Sequence, residues 1–222
     1  MPLSVSGPQI MRTAENRQER QKKSVSTKDP VIGEARIDLR HGDFKEVLSD
    51  IEDGSVSLLL TDPPYGKKFL DLWKDLGKFA ARVLSPTGIL VAYSGQMYLQ
   101  ECLSALSENL LYWWTGAILH KSPGLSPLGQ PVRKVINGWK PLLMYIRKDG
   151  KGVQEVFRDL VRGEGQEKDA HNWQQPVSEA AWIIEQFTQP GELVVDPMAG
   201  SGTVGVACEN TARSFIGAEL NG

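Results

Sequence analysis

A short apolar run that ends in a glycine-rich turn constrains the fold of this chain more than any other feature. Leu193-Val194-Val195 predicts a buried strand, and Asp196-Pro197-Met198-Ala199-Gly200-Ser201-Gly202-Thr203 follows it directly. An apolar helical segment comes next, and a second predicted strand, Ser214 to Glu219, ends in an acid. Glycines let a ligand approach the backbone, and an acid about twenty residues beyond them suits ribose hydroxyls. The pattern predicts a strand, helix and strand unit that binds a nucleotide cofactor.

The same glycines also satisfy the G-x-G-x-x-G pattern of dinucleotide-binding proteins, from Gly200 to Gly205. A dinucleotide site needs a second mononucleotide-binding half after the acid. Because the sequence stops at Gly222, we expect no such half, and an NAD-type dehydrogenase is disfavoured. A glycine turn with a purely structural role is the other alternative.

A second motif follows the apolar run Ser57 to Thr61 and reads Asp62-Pro63-Pro64-Tyr65-Gly66. The Asp62 carboxylate can accept one hydrogen of an exocyclic amine, while the prolines fix the turn and the Pro63 carbonyl can accept the second hydrogen. Tyr65 offers a ring face for a base taken out of its stack. The segment therefore predicts a site for a nucleobase amine, although a turn that closes a buried strand has a similar composition.

Together, D-P-P-Y at 62–65 and D-P-M-A-G-S-G-T at 196–203 resemble the motifs of S-adenosylmethionine-dependent DNA amino-methyltransferases. Their order is similar to that of the circularly permuted beta group, and the resemblance spans about residues 36 to 220. It implies a Rossmann-like α/β fold with a central, mostly parallel, seven-stranded sheet and helices on both faces. It also implies S-adenosyl-L-methionine as cofactor and double-stranded DNA, with one base flipped out, as partner. D-P-P-Y rather than S-P-P-Y favours N6 of adenine over N4 of cytosine.

The resemblance also assigns roles to individual residues. The catalytic set is Asp62, Pro63, Pro64 and Tyr65, and the cofactor-binding set is Asp43, Asp196, Met198, Gly200, Ser201, Gly202, Thr203 and Glu219. Asp43 matches a family acid that hydrogen-bonds the adenine amine of the cofactor, and as an alternative or additional role it suits a helix N-cap. His171 to Pro176 resembles the H-x-x-x-K-P element of the cofactor pocket, with Gln175 in place of lysine. Met198 stands where relatives often have phenylalanine.

We expect direct methyl transfer, in which the amine held by Asp62 and the Pro63 carbonyl attacks the cofactor's methyl group in line, without a covalent enzyme intermediate. Methylation of cytosine N4 or of adenine in RNA stays open as an alternative. Methylation of a protein amide is a weaker alternative, because enzymes of this fold that act on protein amides usually carry N-P-P-Y. A non-catalytic nucleic-acid-binding module of the same fold is the alternative from another class.

The formal net charge of −2 means that contacts with a polyanion depend on local basic patches. Three patches stand out: Arg12 to Lys28, Lys67-Lys68, and His120-Lys121 through Arg133-Lys134 to Lys140. Residues 122–138 form a long segment rich in glycine and proline, which we interpret as a flap over nucleic acid. Trp139 matches a family aromatic that flanks the flipped base, and surface packing is its alternative. The predicted nucleic-acid-binding set is Lys67, Lys68, Arg133, Lys134 and Trp139.

We divide the chain into a basic, partly disordered tail at 1–30 and a catalytic domain at 31–222. A polar insert at 148–169 replaces the large target-recognition domain of many relatives. Because reading several base pairs takes several side chains on base edges, so short an insert predicts relaxed specificity or specificity supplied by a partner.

The composition, 41% hydrophobic and 23% charged residues, suits one domain with a sizeable core. Cys102 and Cys208 lie in apolar helical patterns, so we expect reduced thiols, and no zinc-ligand spacing is present. The sequence has no signal peptide and no apolar run of membrane-spanning length, which predicts a cytoplasmic protein. The last predicted strand ends near Gly222, and a homodimer that covers the exposed sheet face is one open alternative.

Overall fold

The computed structural model describes residues 35–119, 135, 137–162 and 176–220, all within one compact unit, Glu34–Gly222. Its strands are β1 (Ile37–His41), β2 (Val56–Thr61), β3 (Leu84–Tyr93), β4 (Leu110–Leu119), β5 (Trp139–Arg147), β6 (Leu160–Arg162), β7 (Leu193–Asp196) and β8 (Ser214–Glu219). Its helices are α1 (Phe44–Val47), α2 (Leu70–Val83), α3 (Leu99–Ser107), α4 (Val177–Phe187) and α5 (Thr203–Asn210), and a 3-10 helix spans Lys67–Phe69.

The described strands form one sheet in the order β1-β8-β7-β2-β3-β5-β4-β6. Only β5 runs antiparallel to its two neighbours, β3 and β4, and the other five pairs are parallel. The predicted α/β fold with a mostly parallel sheet is confirmed, but the predicted number of seven strands is wrong. The eighth strand is β6, which lies within the 148–169 insert. Its three residues pair with Ala117–Leu119 of β4, a long-range contact that the polar local sequence does not signal.

Helices cover both faces of the sheet, as predicted. On one face, α1, α2 and α3 bury a cluster around Trp73, Leu76 and Leu106. On the other face, α4 and α5 pack Ile183, Ile184 and Ala207 against the sheet. β2 lies between the two layers and is buried on both sides, which explains why its sequence is a continuous apolar run rather than an alternating one.

The two cysteines belong to opposite layers of this core. Cys102 packs on the α2 and α3 face, whereas Cys208 packs on the α4 and α5 face. Both thiols are buried and free, so the expectation of reduced core cysteines is confirmed. Within the part of the chain that the structure describes, each helix is too short or too polar to cross a bilayer.

The carboxyl ends of seven described strands, all except β5, lie at one edge of the sheet. β5 begins at this edge because it runs in the opposite direction. In open α/β sheets, ligands bind outside the carboxyl ends of the strands. Both sequence motifs lie at this edge, since D-P-P-Y follows β2 and the glycine turn follows β7.

Candidate active site

Asp62, the first residue after β2, is held by two donors from different parts of the chain. Lys140 Nζ, on β5, donates to Asp62 Oδ2 over 2.8 Å, and the Tyr65 hydroxyl donates to Asp62 Oδ1. The Lys140 side chain is only 15% exposed, and that of Asp62 is 32% exposed. A partly desolvated ion pair of this kind holds the carboxylate in a fixed orientation.

Tyr65 combines a protonated hydroxyl with an accessible ring. Desolvation of the hydroxyl and the neighbouring Asp62 charge raise the pKa of Tyr65 far above its usual value, so the group donates its hydrogen at neutral pH. The residue as a whole is still 47% exposed, so part of it is accessible to solvent. The preceding Pro63 is buried and Pro64 is half-buried, so the tip of β2 is anchored in the core. The ring is therefore available as a stacking surface beside a fixed carboxylate.

The Lys140 ammonium lies between two aromatic rings. It is 4.5 Å from the centroid of the Tyr93 ring and 5.3 Å from that of Tyr65. Cation–π contacts of this length stabilise a cation that has lost most of its water. The basic pattern of the sequence predicts that Lys140 contacts phosphate, whereas its side chain points inward to Asp62.

A second carboxylate, Glu179 on α4, lies near Tyr93 and Lys140. It is 6% exposed, and its Oε1 has no hydrogen-bond partner among the described residues. Burial raises the pKa of Glu179, while the Tyr93 hydroxyl and the Lys140 charge act in the opposite direction. The Tyr93 hydroxyl, also fully buried, faces this carboxyl without closing a hydrogen bond of good geometry. Glu179 therefore belongs electrostatically to the Asp62 site.

The glycine turn after β7 begins with a buried acid. Asp196 is 3% exposed and accepts a hydrogen bond from the Met198 backbone N–H at 3.0 Å. Burial raises the pKa of Asp196 to about 7, although the Thr61 hydroxyl and the Met198 N–H favour the ionised form. The Thr61 hydroxyl at the end of β2 lies near this carboxyl without closing a hydrogen bond of good geometry, so Asp196 adjoins the strand that leads into Asp62.

The turn itself exposes its backbone on the open side. Gly200 and Gly202 adopt φ values of +51° and +80°, a region that favours glycine, and a Cβ at either position would meet no atom within 4 Å. The Gly200 N–H donates to Glu219 Oε2 over 2.8 Å, so the acid at the end of β8 lies directly against the turn. Ser201 and Thr203, whose hydroxyls are 3.3 Å apart, complete the turn as α5 begins. An open backbone cradle with an acid at its rim fits the nucleoside part of a cofactor.

Asp43 adopts the helix-capping role that the sequence left open. Its Oδ1 accepts a hydrogen bond from the Lys45 N–H at 3.0 Å, at the start of α1. The neighbouring Gly42 N–H donates to the Glu219 backbone oxygen over 2.9 Å. Asp43 therefore lies close to Glu219, although the two residues come from opposite ends of the chain.

The predicted DNA-contacting residues are only partly described. Lys67 and Lys68 are exposed on the 3-10 helix that follows Tyr65, and Lys68 Nζ lies 4.7 Å from the Phe69 ring centroid. Trp139 opens β5, and its carbonyl accepts a hydrogen bond from Gln96 Nε2 at 2.9 Å. Arg133 and Lys134 lie outside the described residues, as do most of the predicted flap, residues 171–175 and the tail at 1–30.

Sequence reasoning missed Tyr93 and Glu179, and it did not predict that Lys140 contacts Asp62. One signal was available, since Glu179 is four residues before the buried Ile183 and so lies on the apolar face of α4. A charged residue at such a position is rare unless it has a partner. The described residues contain no cluster of three or more His, Cys, Asp or Glu side chains that could hold a metal ion.

Comparison with known proteins gives consistent matches. The N6_N4_Mtase family model, described as DNA methylase, matches residues 56–222. The type II methyltransferase M.HpaI of Haemophilus parainfluenzae is 24% identical over 213 residues, which cover 79% of this chain and 68% of the relative. The putative methylase YubD of Escherichia coli K12 is 26% identical over 201 residues, which cover 81% and 82%.

Two solved structures illustrate the likeness in fold. The complex of M1.HpyAVI with S-adenosylmethionine has a TM-score of 0.66 at 24% identity, covering 83% of this chain and 93% of that one. The cytosine-N4-specific PvuII DNA methyltransferase has a TM-score of 0.70 at 19% identity, covering 85% and 86%. The Rossmann-like methyltransferase fold is thereby confirmed.

Proposed function

This chain belongs to the DNA methylase family, and from that premise we propose that it methylates the N6 amine of adenine in DNA. Family membership makes it an S-adenosylmethionine-dependent DNA methyltransferase. The choice of base is the proposed part, because relatives of both types occur, a DNA adenine methyltransferase and a cytosine-N4-specific enzyme. Aspartate at position 62, rather than serine, supports adenine. The observation that carries the proposal is the fixed Asp62 carboxylate beside the half-exposed Tyr65 ring.

The chemistry assigned to the base side follows from these contacts. The Asp62 carboxylate accepts one hydrogen of the target amine, and the Pro63 carbonyl accepts the other. With both hydrogens held, the amine's lone pair is drawn out of conjugation with the ring and points towards the methyl donor. The base lies on the Tyr65 ring after it leaves the DNA stack, at a cost of a few kcal/mol in unstacking.

On the cofactor side, the chain supplies a cradle and two acids. The open backbone of Gly200 and Gly202 approaches the nucleoside, Glu219 accepts hydrogens from the ribose hydroxyls and Asp43 accepts one from the adenine amine. Asp196 holds the turn in shape. Bound S-adenosylmethionine supplies an already activated methyl group, so the protein contributes mainly position and charge placement.

The DNA itself meets the protein on the base side of Asp62. Lys67 and Lys68, exposed directly after Tyr65, contact phosphates near the flipped nucleotide, and Arg133 and Lys134 are proposed for the same role. Trp139 flanks the base from the start of β5. Association into a homodimer stays a prediction. Cytosine N4 is the second candidate, because its amine adjoins a ring nitrogen just as the adenine amine does, so Asp62 could hold either.

Mass spectrometry of nucleosides tests this function. The protein is incubated with S-adenosylmethionine and unmethylated DNA, or RNA, in parallel with Asp62→Ala and with Asp71→Ala, an exposed aspartate on α2. We expect N6-methyladenine in DNA with the wild type and Asp71→Ala, and at least a hundredfold less with Asp62→Ala. N4-methylcytosine would change the base, a mark only in RNA would change the substrate, and cofactor binding without any mark would refute the proposal.

A further inference from the structure

We propose that Lys140 is a displaceable cation that occupies the target-amine position on Asp62 and transfers to Glu179 when the base enters. This proposal rests on the proposed function, because it takes Asp62 as the acceptor of the target amine. It adds a step that precedes chemistry, the exchange of one hydrogen-bond donor for another. It also gives a role to a buried carboxylate that methyl transfer itself does not use.

Lys140 and the base compete for the same contacts. The ammonium donates to Asp62 Oδ2 over 2.8 Å, which is the type of contact that the target amine makes. It also lies 5.3 Å from the centroid of the Tyr65 ring, which adds to its hold on this position. The ammonium and the target amine cannot occupy the same position on Asp62 Oδ2, so the ammonium has to leave before the amine can bind there.

Glu179 provides the place to which the ammonium moves. The Lys140 charge already acts on the Glu179 carboxyl, whose Oε1 has no hydrogen-bond partner among the described residues. The Tyr93 ring lies 4.5 Å from the ammonium, and its buried hydroxyl faces the Glu179 carboxyl. A cation on this ring needs only rotation of the flexible lysine stem to turn from one carboxylate to the other.

The exchange lowers the cost of opening the site. An ammonium that is 85% shielded from solvent would lose a great deal of free energy if it left Asp62 for another buried position without an acceptor. Glu179 supplies that acceptor, and the cation keeps its aromatic contact with Tyr93 during the move. Asp62 in turn keeps a donor at every stage, first the ammonium and then the amine.

The experiment is a double-mutant cycle on DNA methylation. Glu179→Gln keeps the shape of the side chain but removes the negative charge, and we expect kcat/KM for DNA to fall about tenfold, mainly through KM. Lys140→Met removes the competing cation, and we expect its KM for DNA to fall below that of the wild type. The double variant should keep the KM of Lys140→Met, because without the cation Glu179 has nothing to accept.

Three controls make the result decisive. Lys148→Met removes an exposed lysine just beyond β5 and should leave kcat/KM unchanged. The Kd for S-adenosylmethionine and the urea midpoint, measured for every variant, separate a change in DNA use from a loss of cofactor binding or of fold. The exchange is overturned if the double variant has the raised KM of Glu179→Gln. It is also overturned if Lys140→Met folds but has no turnover, or if Glu179→Gln has wild-type activity. A wild type that methylates no DNA would instead overturn the proposed function.

Discussion

The buried carboxyl of Asp196 makes the stability of the fold depend on pH in a defined way. Its pKa is about 7 in the folded protein, compared with 3.8 for an ordinary aspartate, chiefly because burial disfavours the charged form. Between these two values the folded protein holds a proton that the unfolded chain has released. The free energy of unfolding therefore falls as the pH rises through this window, and levels off above about pH 7.

The size of the effect follows from the same two values. Within the window, each pH unit lowers the free energy of unfolding by about 1.4 kcal/mol, so the loss between about pH 5 and about pH 8 is about 2 to 3 kcal/mol. Because Asp196 is 3% exposed, solvent screening does little to reduce this figure. Asp196→Asn cannot ionise, yet its amide oxygen can still accept the Met198 N–H. Over this pH range, the free energy of unfolding of the variant should change only by the contribution of the other titrating groups.

Urea unfolding of both proteins without cofactor, at about pH 5 and about pH 8, measures this difference. The other groups are common to both proteins, so their contributions cancel when the two losses are subtracted. We expect the wild type to lose about 2 to 3 kcal/mol more than Asp196→Asn. If the free energies of unfolding fall in parallel, Asp196 does not hold a proton near neutral pH, and the reasoning from burial fails.

Two further predictions concern the cofactor cradle. Gly202→Ala should cost about 1 to 2 kcal/mol of stability because of the φ of +80° at this position, and it should weaken cofactor binding. The control is Gly191→Ala, at φ +86° in the turn before β7, which should cost as much stability but leave the cofactor Kd unchanged. If urea unfolding shows that both variants are folded and their Kd values for the cofactor are equal, the turn at Gly202 does not contribute to cofactor binding. Glu219→Gln should raise the cofactor Kd, measured by calorimetry, about tenfold. Glu209→Gln, at an exposed position on α5, should leave the Kd unchanged, and equal Kd values for the two variants would show that Glu219 does not bind the cofactor.

The sequence predicts the elements well where a long local pattern exists. The apolar spacing from Phe69 to Leu84 predicts a helix, and α2 spans Leu70–Val83. Ser85-Pro86-Thr87-Gly88 predicts a turn, but β3 runs through it from Leu84, with a register shift against β2 between Val56 and Leu58. The predicted turn is therefore an irregularity within the strand, because the residues on either side of it, Leu84 and Ile89, both pair with β2.

The site divides in the same way between local and long-range information. The glycine turn and D-P-P-Y are continuous in sequence, and each places its residues next to the end of a strand without reference to the rest of the chain. The contact between Asp62 and Lys140 joins residues 78 positions apart, and it exists only because β5 reverses direction and begins beside β3. No local pattern carries that information, so the inner half of the site emerges only from the folded sheet.

The pairing of β1 with β8 affects how the protein matures during synthesis. Ile37 pairs with Phe215, so the first strand of the sheet waits for a partner 178 residues further along the chain. Contacts this distant form slowly, and a nascent chain emerges from its amino end. The pairing of β2 with β3 is complete much earlier, since Leu58 lies opposite Ile89. On the ribosome, the strand that carries Asp62 can therefore find its first partner long before Asp43 and Glu219 meet, and the cofactor pocket is among the last parts of the enzyme to form.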